Sequence, residues 1–454
     1  MTDFGIIGVG RIGTSFARNM SLNGIKVSLY DKNFDTYTDI KTHYSELASS
    51  LVFDDINKFI SSISLPRKVL VLVPSGPSLD EVISLCIKNL NSNDILIDAG
   101  NTNPTISFEN HQKIKSKNLL YLGIGVSGGV EGVLNGPSIM IGGDLKAFNE
   151  VKKIFSKITS NTINNSKSFE LFGDSNQGHF VKMVHNGIEY VEMQLISSIY
   201  YFMIKSNKYK YDDIAKVFKK WSKSDLNSYL LEISSTKLLE KTDGNFLLDI
   251  IDDKADDNGT GRWMLKYGLD LGCSLNMLNA ALDSRFISKN NNARLKFNNS
   301  IKKEIMEYDI NINSLTDAYS FCRLINYVQA FLLIDSANKN YGWDISISKA
   351  LNVWSNGSII KSDLVNTLYK DYSVDNILDD KKIFKTLNEL KPGLIDVLNL
   401  SLKNDVSLPC FSEALSYINQ ISSLFLSTKL IQAQRNQFGS VSYTHLTLPT
   451  KRIV

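Results

Sequence analysis

A glycine-rich turn close to the N-terminus restricts the fold of this chain more than any other feature. The segment Gly8-Val-Gly-Arg-Ile-Gly13 follows an apolar run, residues 4–8, that predicts a strand, and it precedes residues 12–23, whose spacing predicts a helix. Glycines at this spacing permit a tight turn, a close approach of the backbone to a pyrophosphate, and close packing of helix on sheet. The first helical turn offers free N–H groups to the phosphates. The segment predicts a dinucleotide-binding unit whose cofactor contacts are Gly8, Gly10, Arg11, Ile12 and Gly13.

An acidic residue follows the second predicted strand, residues 26–30, and bears on which dinucleotide is bound. Asp31 is expected near the adenosine ribose. A carboxylate there can accept hydrogen bonds from both ribose hydroxyls of NAD, and it repels the 2′-phosphate of NADP. Lys32 follows directly and would offset part of that repulsion. We expect both residues to contact the cofactor, NAD or NADP, with NAD favoured. The alternative is that Asp31 is a solvated acid at a strand end.

Three further apolar runs, at residues 68–73, 94–98 and 121–125, are separated by helical stretches. Continuous apolar strands that alternate with helices predict a parallel sheet covered on both faces. The pattern therefore predicts an α/β Rossmann-type N-terminal domain over residues 1–173.

The pattern changes at about Asp174, after which apolar residues recur at spacings of three and four. Residues 180–204, 324–338 and 410–425 are examples. This periodicity predicts a large all-α domain over residues 174–430, followed by a short C-terminal tail over residues 431–454. The role of this domain in substrate binding and dimerisation is implied only by the family resemblance given below.

Composition excludes several classes of function. Lys+Arg number 50 and Asp+Glu 47, a net charge of +3, so the total charge indicates neither nucleic-acid nor membrane binding. The four cysteines form no CxxC pair, so we expect reduced thiols, no metal site and a cytoplasmic protein. No apolar run approaches the ~18 residues of a membrane span, and the N-terminus lacks the basic region of a signal peptide.

Residues 178–190, Gly-His-Phe-Val-Lys-Met-Val-His-Asn-Gly-Ile-Glu-Tyr, are the segment that most specifically indicates chemistry. On a helix their polar members share one face, at i, i+3, i+4, i+7 and i+8: Lys182, His185, Asn186, Glu189 and Tyr190. Such a stripe is costly to bury without a function. A desolvated lysine can act as a base and a carboxylic acid two turns away as an acid. The alternative is a solvated polar face.

Several motifs together resemble the 6-phosphogluconate dehydrogenase family, from Phe4 to about Gly439. They are the glycine loop, the helix above, and residues 97–101, 125–132, 136–143, 259–263, 285, 350–361 and 430–435. The broader β-hydroxyacid dehydrogenase group shares only the glycine loop, the Ser-Gly-Gly element at residues 127–129 and the lysine helix. The resemblance implies oxidative decarboxylation of 6-phosphogluconate to ribulose 5-phosphate and CO₂ with reduction of NAD(P).

The resemblance also implies a role for each matching residue. Lys182 would take the proton of the 3-hydroxyl while hydride passes to the nicotinamide, and Glu189 would protonate C1 of the enediol left by loss of CO₂. Asn101 would lie between nicotinamide and substrate, and Val73 beside the cofactor. The substrate contacts would be Ser127, Gly128 and Gly129 for the carboxylate, His185 and Asn186 for the carboxylate or hydroxyls, and Tyr190, Arg285 and a homodimer partner's copy of Arg435 for the phosphate.

The sequence departs from the family pattern at four places. Asp31-Lys32 replaces Asn-Arg, which puts NADP preference in doubt, and Pro74-Ser75 replaces Lys-Ala beside the cofactor. Asn258 replaces a lysine that binds the substrate phosphate. Val441 occupies a histidine position, and residues beyond about 440 no longer resemble the family, so we hypothesise that this segment is truncated or non-native.

Two other interpretations stay open at this stage. One is a related β-hydroxyacid dehydrogenase with a different substrate, which the charge lost at Asn258 and Val441 favours. The other is a weakly active cofactor-binding paralogue.

Overall fold

The computed structural model describes residues 1–32, 40–301, 307–371 and 379–439. The predicted departure of the C-terminal segment from residue 440 onward, Val441 included, lies outside these ranges. None of the helices within them combines the length and the apolar character needed to span a lipid bilayer.

The N-terminal part alternates strands and helices. Its elements are β1 Phe4–Ile7, α1 Arg11–Leu22, β2 Val27–Tyr30, α2 Ile40–His43, β3 Leu51–Phe53, α3 Ile56–Ser61, β4 Lys68–Val71, α4 Pro77–Asn89, β5 Ile95–Asp98, α5 Pro104–Lys115, β6 Leu120–Ser127, α6 Gly129–Asn135, β7 Ser138–Gly143, α7 Leu145–Ile158 and β8 Phe169–Leu171. The eight strands form one sheet in the order β3-β2-β1-β4-β5-β6-β7-β8. The chain reverses its direction of travel across the sheet between β1 and β4, the switch point where such sheets bind ligands.

Alternate residues of the central strands enter two different cores. Ile6, Leu70 and Ile97 belong to the cluster on one face of the sheet, whereas Ile7 and Val71 belong to the cluster on the other. Successive side chains of a strand point to opposite faces, so both faces are covered. The predicted Rossmann-type class is therefore confirmed.

The prediction of a purely parallel sheet is wrong in one respect, because β6 and β7 are antiparallel. Strands β3, β7 and β8 were not predicted. The first and last have three residues each, too few for a clear pattern. Strand β7 follows Gly136-Pro137 and ends in Gly142-Gly143. Glycine and proline weaken the sequence pattern that is typical of a strand.

The C-terminal part is helical apart from one hairpin of two-residue strands. Its elements are α8 Gln177–Lys205, α9 Tyr211–Trp221, α10 Tyr229–Lys237, β9 Lys241–Thr242, β10 Asn245–Phe246, α11 Leu247–Ile250, α12 Thr260–Asp270, α13 Asn276–Lys289, α14 Asn291–Ser300, α15 Ile312–Tyr341, α16 Ile347–Trp354, α17 Asp363–Asp371, α18 Lys381–Lys403, α19 Pro409–Ile421 and α20 Thr428–Gly439. The predicted domain boundary after residue 173 falls in the loop between β8 and α8, and it stays a prediction.

Helix α8 is anchored in the helical core by α15. Arg323 Nε lies 2.9 Å from Glu192 Oε1, and both side chains are buried. Asn326 Nδ2 donates to the backbone oxygen of Ile188 at 3.0 Å. Buried charges and amides are tolerated where they are paired. These two pairs therefore fix the position of α8 relative to α15 in the helical core.

The N-terminal half of α8 lies directly on the sheet because glycines occupy the closest points of contact, Gly125 on the sheet and Gly178 on the helix. A Cβ atom on Gly125 of β6 would overlap Cβ of Lys182. A Cβ atom on Gly178 would overlap the backbone at Gly123 and Gly142. The sheet and the helix therefore meet at backbone distance, next to the polar face of α8.

Candidate active site

The glycine loop begins where β1 ends, at the switch point of the sheet. Gly8 has φ of +91°, and a Cβ atom there would lie 2.5 Å from the Leu72 carbonyl oxygen. A Cβ atom on Gly13 would overlap the Gly8 carbonyl oxygen, whereas one on Gly10 would meet nothing within 4 Å. Open space beside Gly10, at the start of the twelve-residue helix α1, fits a pyrophosphate. The loop residues present therefore suit a dinucleotide.

The other predicted cofactor residues follow strands of the same sheet, and two of them, Asp31 and Val73, contact this loop. Asp31 Oδ2 accepts a hydrogen bond from the backbone N–H of Val9 at 2.9 Å. Val73, which follows β4, has Cγ1 3.1 Å from the point where a Gly8 side chain would begin. Lys32 lies 3.7 Å from Glu81, and both side chains are mostly exposed. Asn101 is exposed in the loop after β5. Parallel strands β2, β4 and β5, which end beside β1, thus bring these residues to one edge of the sheet.

Lys182, His185 and Glu189 lie together on α8, as the helical spacing predicts. Lys182 Nζ is 3.4 Å from His185 Nδ1, and Glu189 Oε2 is 3.7 Å from the same nitrogen. Lys182 is 7% exposed and His185 is fully buried, while 21% of the Glu189 side chain is exposed. A partly accessible acid and a nearly buried amine therefore share one pocket.

Burial sets the protonation of these three groups. It lowers the pKa of Lys182 to about 8, although the nearby Glu189 carboxylate opposes the change. Burial and then Lys182 hold the pKa of His185 well below its usual range, so this imidazole is neutral and its contact with Glu189 is no ion pair. Burial also raises the pKa of Glu189, against the effects of Lys182 and Arg285. These directions suit a lysine base and a carboxylic acid.

Tyr190 and Arg285 form the other end of the pocket. The guanidinium carbon of Arg285 lies 3.9 Å from the centre of the Tyr190 ring, and its Nη1 donates to the backbone oxygen of Asp256 at 2.9 Å. The Tyr190 hydroxyl donates to Asn258 Oδ1 at 2.8 Å. Arg285 is 8% exposed. A planar cation held against a ring is well suited to an anionic group.

Ser127 joins the sheet to the polar face of α8. Its hydroxyl lies 2.9 Å from His185 Nε2 and accepts a hydrogen bond from the backbone N–H of Ile359 at 3.1 Å. Gly128 and Gly129 follow, both with positive φ, where β6 gives way to α6. The predicted carboxylate contacts therefore lie at the same sheet edge as the cofactor loop.

Arg435 is the predicted site residue that this chain does not bring to the pocket. It lies on α20, a helix with no buried residue, and its side chain is exposed. The resemblance assigns this arginine to the partner's site, and a single chain leaves that assignment a prediction.

Sequence reasoning missed two groups that complete the pocket. Thr260 Oγ1 accepts from Asn186 Nδ2 at 3.2 Å, and Ile359 supplies the backbone N–H bound by Ser127. Both lie inside segments that carry the family resemblance, residues 259–263 and 350–361, so a segment-by-segment reading of those motifs would have marked them.

Known proteins are similar to this chain over nearly its whole length. Residues 178–452 match the family described as the C-terminal domain of 6-phosphogluconate dehydrogenase, and residues 3–166 match the NAD binding domain of 6-phosphogluconate dehydrogenase. The chain is similar to decarboxylating 6-phosphogluconate dehydrogenase of Buchnera aphidicola, with 32% identity over 97% of this chain and 96% of that protein. An NADP(+)-dependent decarboxylating relative from Bacillus subtilis shows the same identity and coverage.

A solved structure is similar over the whole chain. The Plasmodium falciparum 6-phosphogluconate dehydrogenase superposes with a TM-score of 0.92 at 32% identity, covering 99% of this chain and 98% of that one. That enzyme was solved in its apo form, with NADP+ and with 6-phosphogluconate.

Proposed function

The chain belongs to the 6-phosphogluconate dehydrogenase family, and we propose that it oxidises and decarboxylates 6-phosphogluconate to ribulose 5-phosphate and CO₂ with reduction of NAD(P), a reaction of the pentose phosphate pathway. The observation that supports this most is the amine of Lys182 and the carboxyl of Glu189, one on each side of His185 Nδ1, beside the nucleotide edge of the sheet. A cytoplasmic location, which the four unpaired thiols favour, is part of the proposal.

The chemistry divides between two side chains. A bound nicotinamide would supply the acceptor for the hydride that leaves C3 of the substrate. The neutral amine of Lys182 takes the proton of the 3-hydroxyl, so the C3 oxygen becomes a carbonyl. The resulting ammonium stabilises negative charge on that oxygen as the C1–C2 bond breaks and CO₂ leaves. Glu189, whose carboxyl pKa is raised by burial, then gives its proton to the carbon that carried the carboxylate.

The remaining predicted residues bind and orient the substrate in this proposal. Ser127, Gly128 and Gly129 contact the carboxylate, and His185 and Asn186 contact the carboxylate or hydroxyls next to it. Tyr190 and Arg285 bind the phosphate, where the fork of a guanidinium matches two phosphate oxygens. The 3.9 Å stacking of Arg285 on Tyr190 supports a shared site for these two.

For the cofactor we propose NAD in preference to NADP. Asp31 supports this because its carboxylate is tied to the glycine loop through Val9 and would lie near a 2′-phosphate. Lys32 is mostly exposed and offers weak compensation. The relatives from Bacillus subtilis and Plasmodium falciparum are described with NADP+, so this preference would be a departure from them.

A homodimer completes the site in this proposal, with Arg435 reaching the phosphate of the partner's site. The chain exposes large apolar side chains along and before α20, with Leu424 95%, Phe425 77% and Phe438 80% exposed. Exposed apolar side chains grouped in this way favour an interface.

A mixing experiment tests the dimer. Chains carrying Lys182→Met and chains carrying Arg435→Ala are each expected to be nearly inactive. Co-refolded in equal amounts, they should recover about a quarter of wild-type activity, because half of the dimers hold one intact site of two. Sedimentation velocity checks the mass. No recovery from dimeric mixtures, or a monomer at assay concentration, would contradict the shared site.

The activity itself is tested by following NAD(P)H absorbance and CO₂ release in parallel. We expect equimolar NAD(P)H and CO₂ from 6-phosphogluconate, a kcat/KM at least about 10²-fold above that for gluconate, and a higher kcat/KM with NAD. Reduction without CO₂ would favour a different β-hydroxy acid as substrate. Cofactor binding without turnover would favour a weakly active paralogue, and a higher kcat/KM with NADP would overturn the NAD preference.

A further inference from the structure

We propose that Asn258 and Thr260 are positioning residues for Lys182, because they hold His185 in the tautomer whose N–H faces the lysine amine. A continuous run of hydrogen bonds carries this inference, which rests on the proposed function of Lys182 as the base. We call it the tautomer network, and it consists of Asn258, Thr260, Asn186, His185 and Ser127.

The direction of the tautomer network is set at Asn258. Its side-chain oxygen accepts hydrogen bonds from the hydroxyls of Tyr190 and Thr260, each at 2.8 Å. A hydroxyl has a single hydrogen. Thr260 Oγ1 has donated it to Asn258, so toward Asn186 Nδ2, at 3.2 Å, it is an acceptor. The amide of Asn186 therefore turns its NH₂ group toward Thr260 and its oxygen toward His185.

The imidazole of His185 lies between one partner of fixed direction and one that can adapt. Nδ1 lies 3.2 Å from Asn186 Oδ1, which can only accept. Nε2 lies 2.9 Å from Ser127 Oγ, which accepts from the Ile359 N–H and can donate its own hydrogen to Nε2. A neutral imidazole carries one hydrogen. Both contacts are satisfied when that hydrogen is on Nδ1 and Nε2 accepts from Ser127.

This tautomer acts on Lys182 because Nδ1 is only 3.4 Å from Nζ. An ammonium group has donors and no acceptor, so a charged Lys182 would face one N–H with another. A neutral amine instead presents its lone pair to Nδ1–H, which can share its one hydrogen between Asn186 Oδ1 and the amine. With the hydrogen on Nε2, the bare Nδ1 would accept from the ammonium and stabilise the charged lysine. The tautomer network therefore favours the form of Lys182 that can take a proton.

Few charges compete with this effect. Glu189, on the same helix, favours the charged lysine, and Arg285 of α13 acts on Glu189. The groups that contact His185 or Lys182 from β6 and from α16 are Ser127, Gly125 and Trp354, none of which is charged.

Asn258 suits this task in a way that the lysine implied here by the family resemblance would not. An amide oxygen accepts two hydroxyl hydrogens at once, whereas a lysine ammonium has three donors and no acceptor. A lysine at this position would leave the Tyr190 and Thr260 hydroxyls without this common acceptor. The substitution that removes a phosphate-binding charge thus adds an orienting group.

The pH dependence of kcat/KM for 6-phosphogluconate tests the proposal. Thr260→Val keeps the shape of the side chain but breaks the tautomer network, and we expect its acidic limb to move up by about 0.5–1 pH unit. At pH 7 this shift lowers kcat/KM by about three- to tenfold. Thr260→Ser should restore the wild-type limb. Tyr190→Phe removes a hydroxyl from the same Asn258 oxygen but leaves the network intact, so it should weaken substrate binding without moving the limb.

A spectroscopic readout separates this role from a structural one. In ¹⁵N-histidine-labelled protein, the His185 resonances, assigned with His185→Gln, should show the Nδ1–H tautomer in wild type and loss of it in Thr260→Val. Asn258→Leu provides a second variant if Thr260→Val fails to fold. An unmoved limb and an unchanged tautomer in an active enzyme would overturn the inference and leave the proposed function standing. A wild-type protein that does not turn over 6-phosphogluconate would instead refute the proposed function.

Discussion

Replacing Lys182 with methionine is expected to lower kcat for 6-phosphogluconate oxidation by about 10²–10⁴-fold, the range found when a general base is removed. Methionine has nearly the length of lysine, so it can keep the packing of the side-chain stem against Gly125. It leaves His185 Nδ1 without the amine at 3.4 Å and the 3-hydroxyl without a proton acceptor. Steady-state kinetics with saturating substrate measure the loss of kcat. Thermal unfolding should show no loss of stability, because the substitution removes an amine that is costly to bury.

The pH profile of the wild-type enzyme has a definite sign. The amine must be neutral to act, so kcat/KM should rise with pH as Lys182 loses its proton, with an acidic limb near its pKa of about 8. In Lys182→Met this limb should be absent. Lys205→Met, on the exposed end of the same helix, is the matched control and should stay within about twofold of wild type. A Lys182→Met enzyme that keeps more than a tenth of wild-type kcat would refute the base assignment.

Replacing Arg285 with methionine is expected to lower kcat/KM for 6-phosphogluconate by about 10²–10³-fold, mainly through KM, since a charged group that pairs with phosphate is lost. A guanidinium carries five N–H donors. Two are used by the Asp256 carbonyl and by Met193 Sδ, at 3.9 Å, which leaves donors for a ligand above Tyr190. The kinetics of 6-phosphogluconate and gluconate are compared, and the loss should be confined to the phosphorylated substrate.

Arg294→Met is the matched control for this change. Arg294 is more exposed, pairs with Asp253 and lies on α14, the helix that follows α13, so its loss should leave both substrates within about twofold. Equal losses of kcat/KM for 6-phosphogluconate and gluconate in Arg285→Met would show that Arg285 stabilises the fold rather than binding phosphate.

The parts of the site that lie on one element could be predicted from the sequence, because their geometry follows from local periodicity. The spacing of Lys182, His185 and Glu189 places them on one face of any helix. In the structure, Lys182 Nζ and Glu189 Oε2 both lie within 3.7 Å of His185 Nδ1. The glycine loop was predictable for the same reason, since strand, turn and helix are contiguous.

Contacts between distant segments could not be predicted in this way. Asn258 and Tyr190 are hydrogen-bonded although 68 positions separate them in the sequence, and Ser127 and Ile359 are hydrogen-bonded at a separation of 232. The local spacing of residues predicts neither contact. Strand β7 escaped prediction because its glycines, which let α8 approach, also erase the apolar alternation of a strand. Arg435 needs a second chain, which no property of one chain supplies.

The close contact between α8 and the sheet requires positions without a side chain, and this requirement determines where Lys182 lies. At Gly125 and Gly178 the smallest possible addition, one methyl group, would act as a wedge and lift the whole helix, amine and acid together, off the nucleotide edge. The position of Lys182 and Glu189 relative to the sheet therefore depends on two glycines whose role is to leave space.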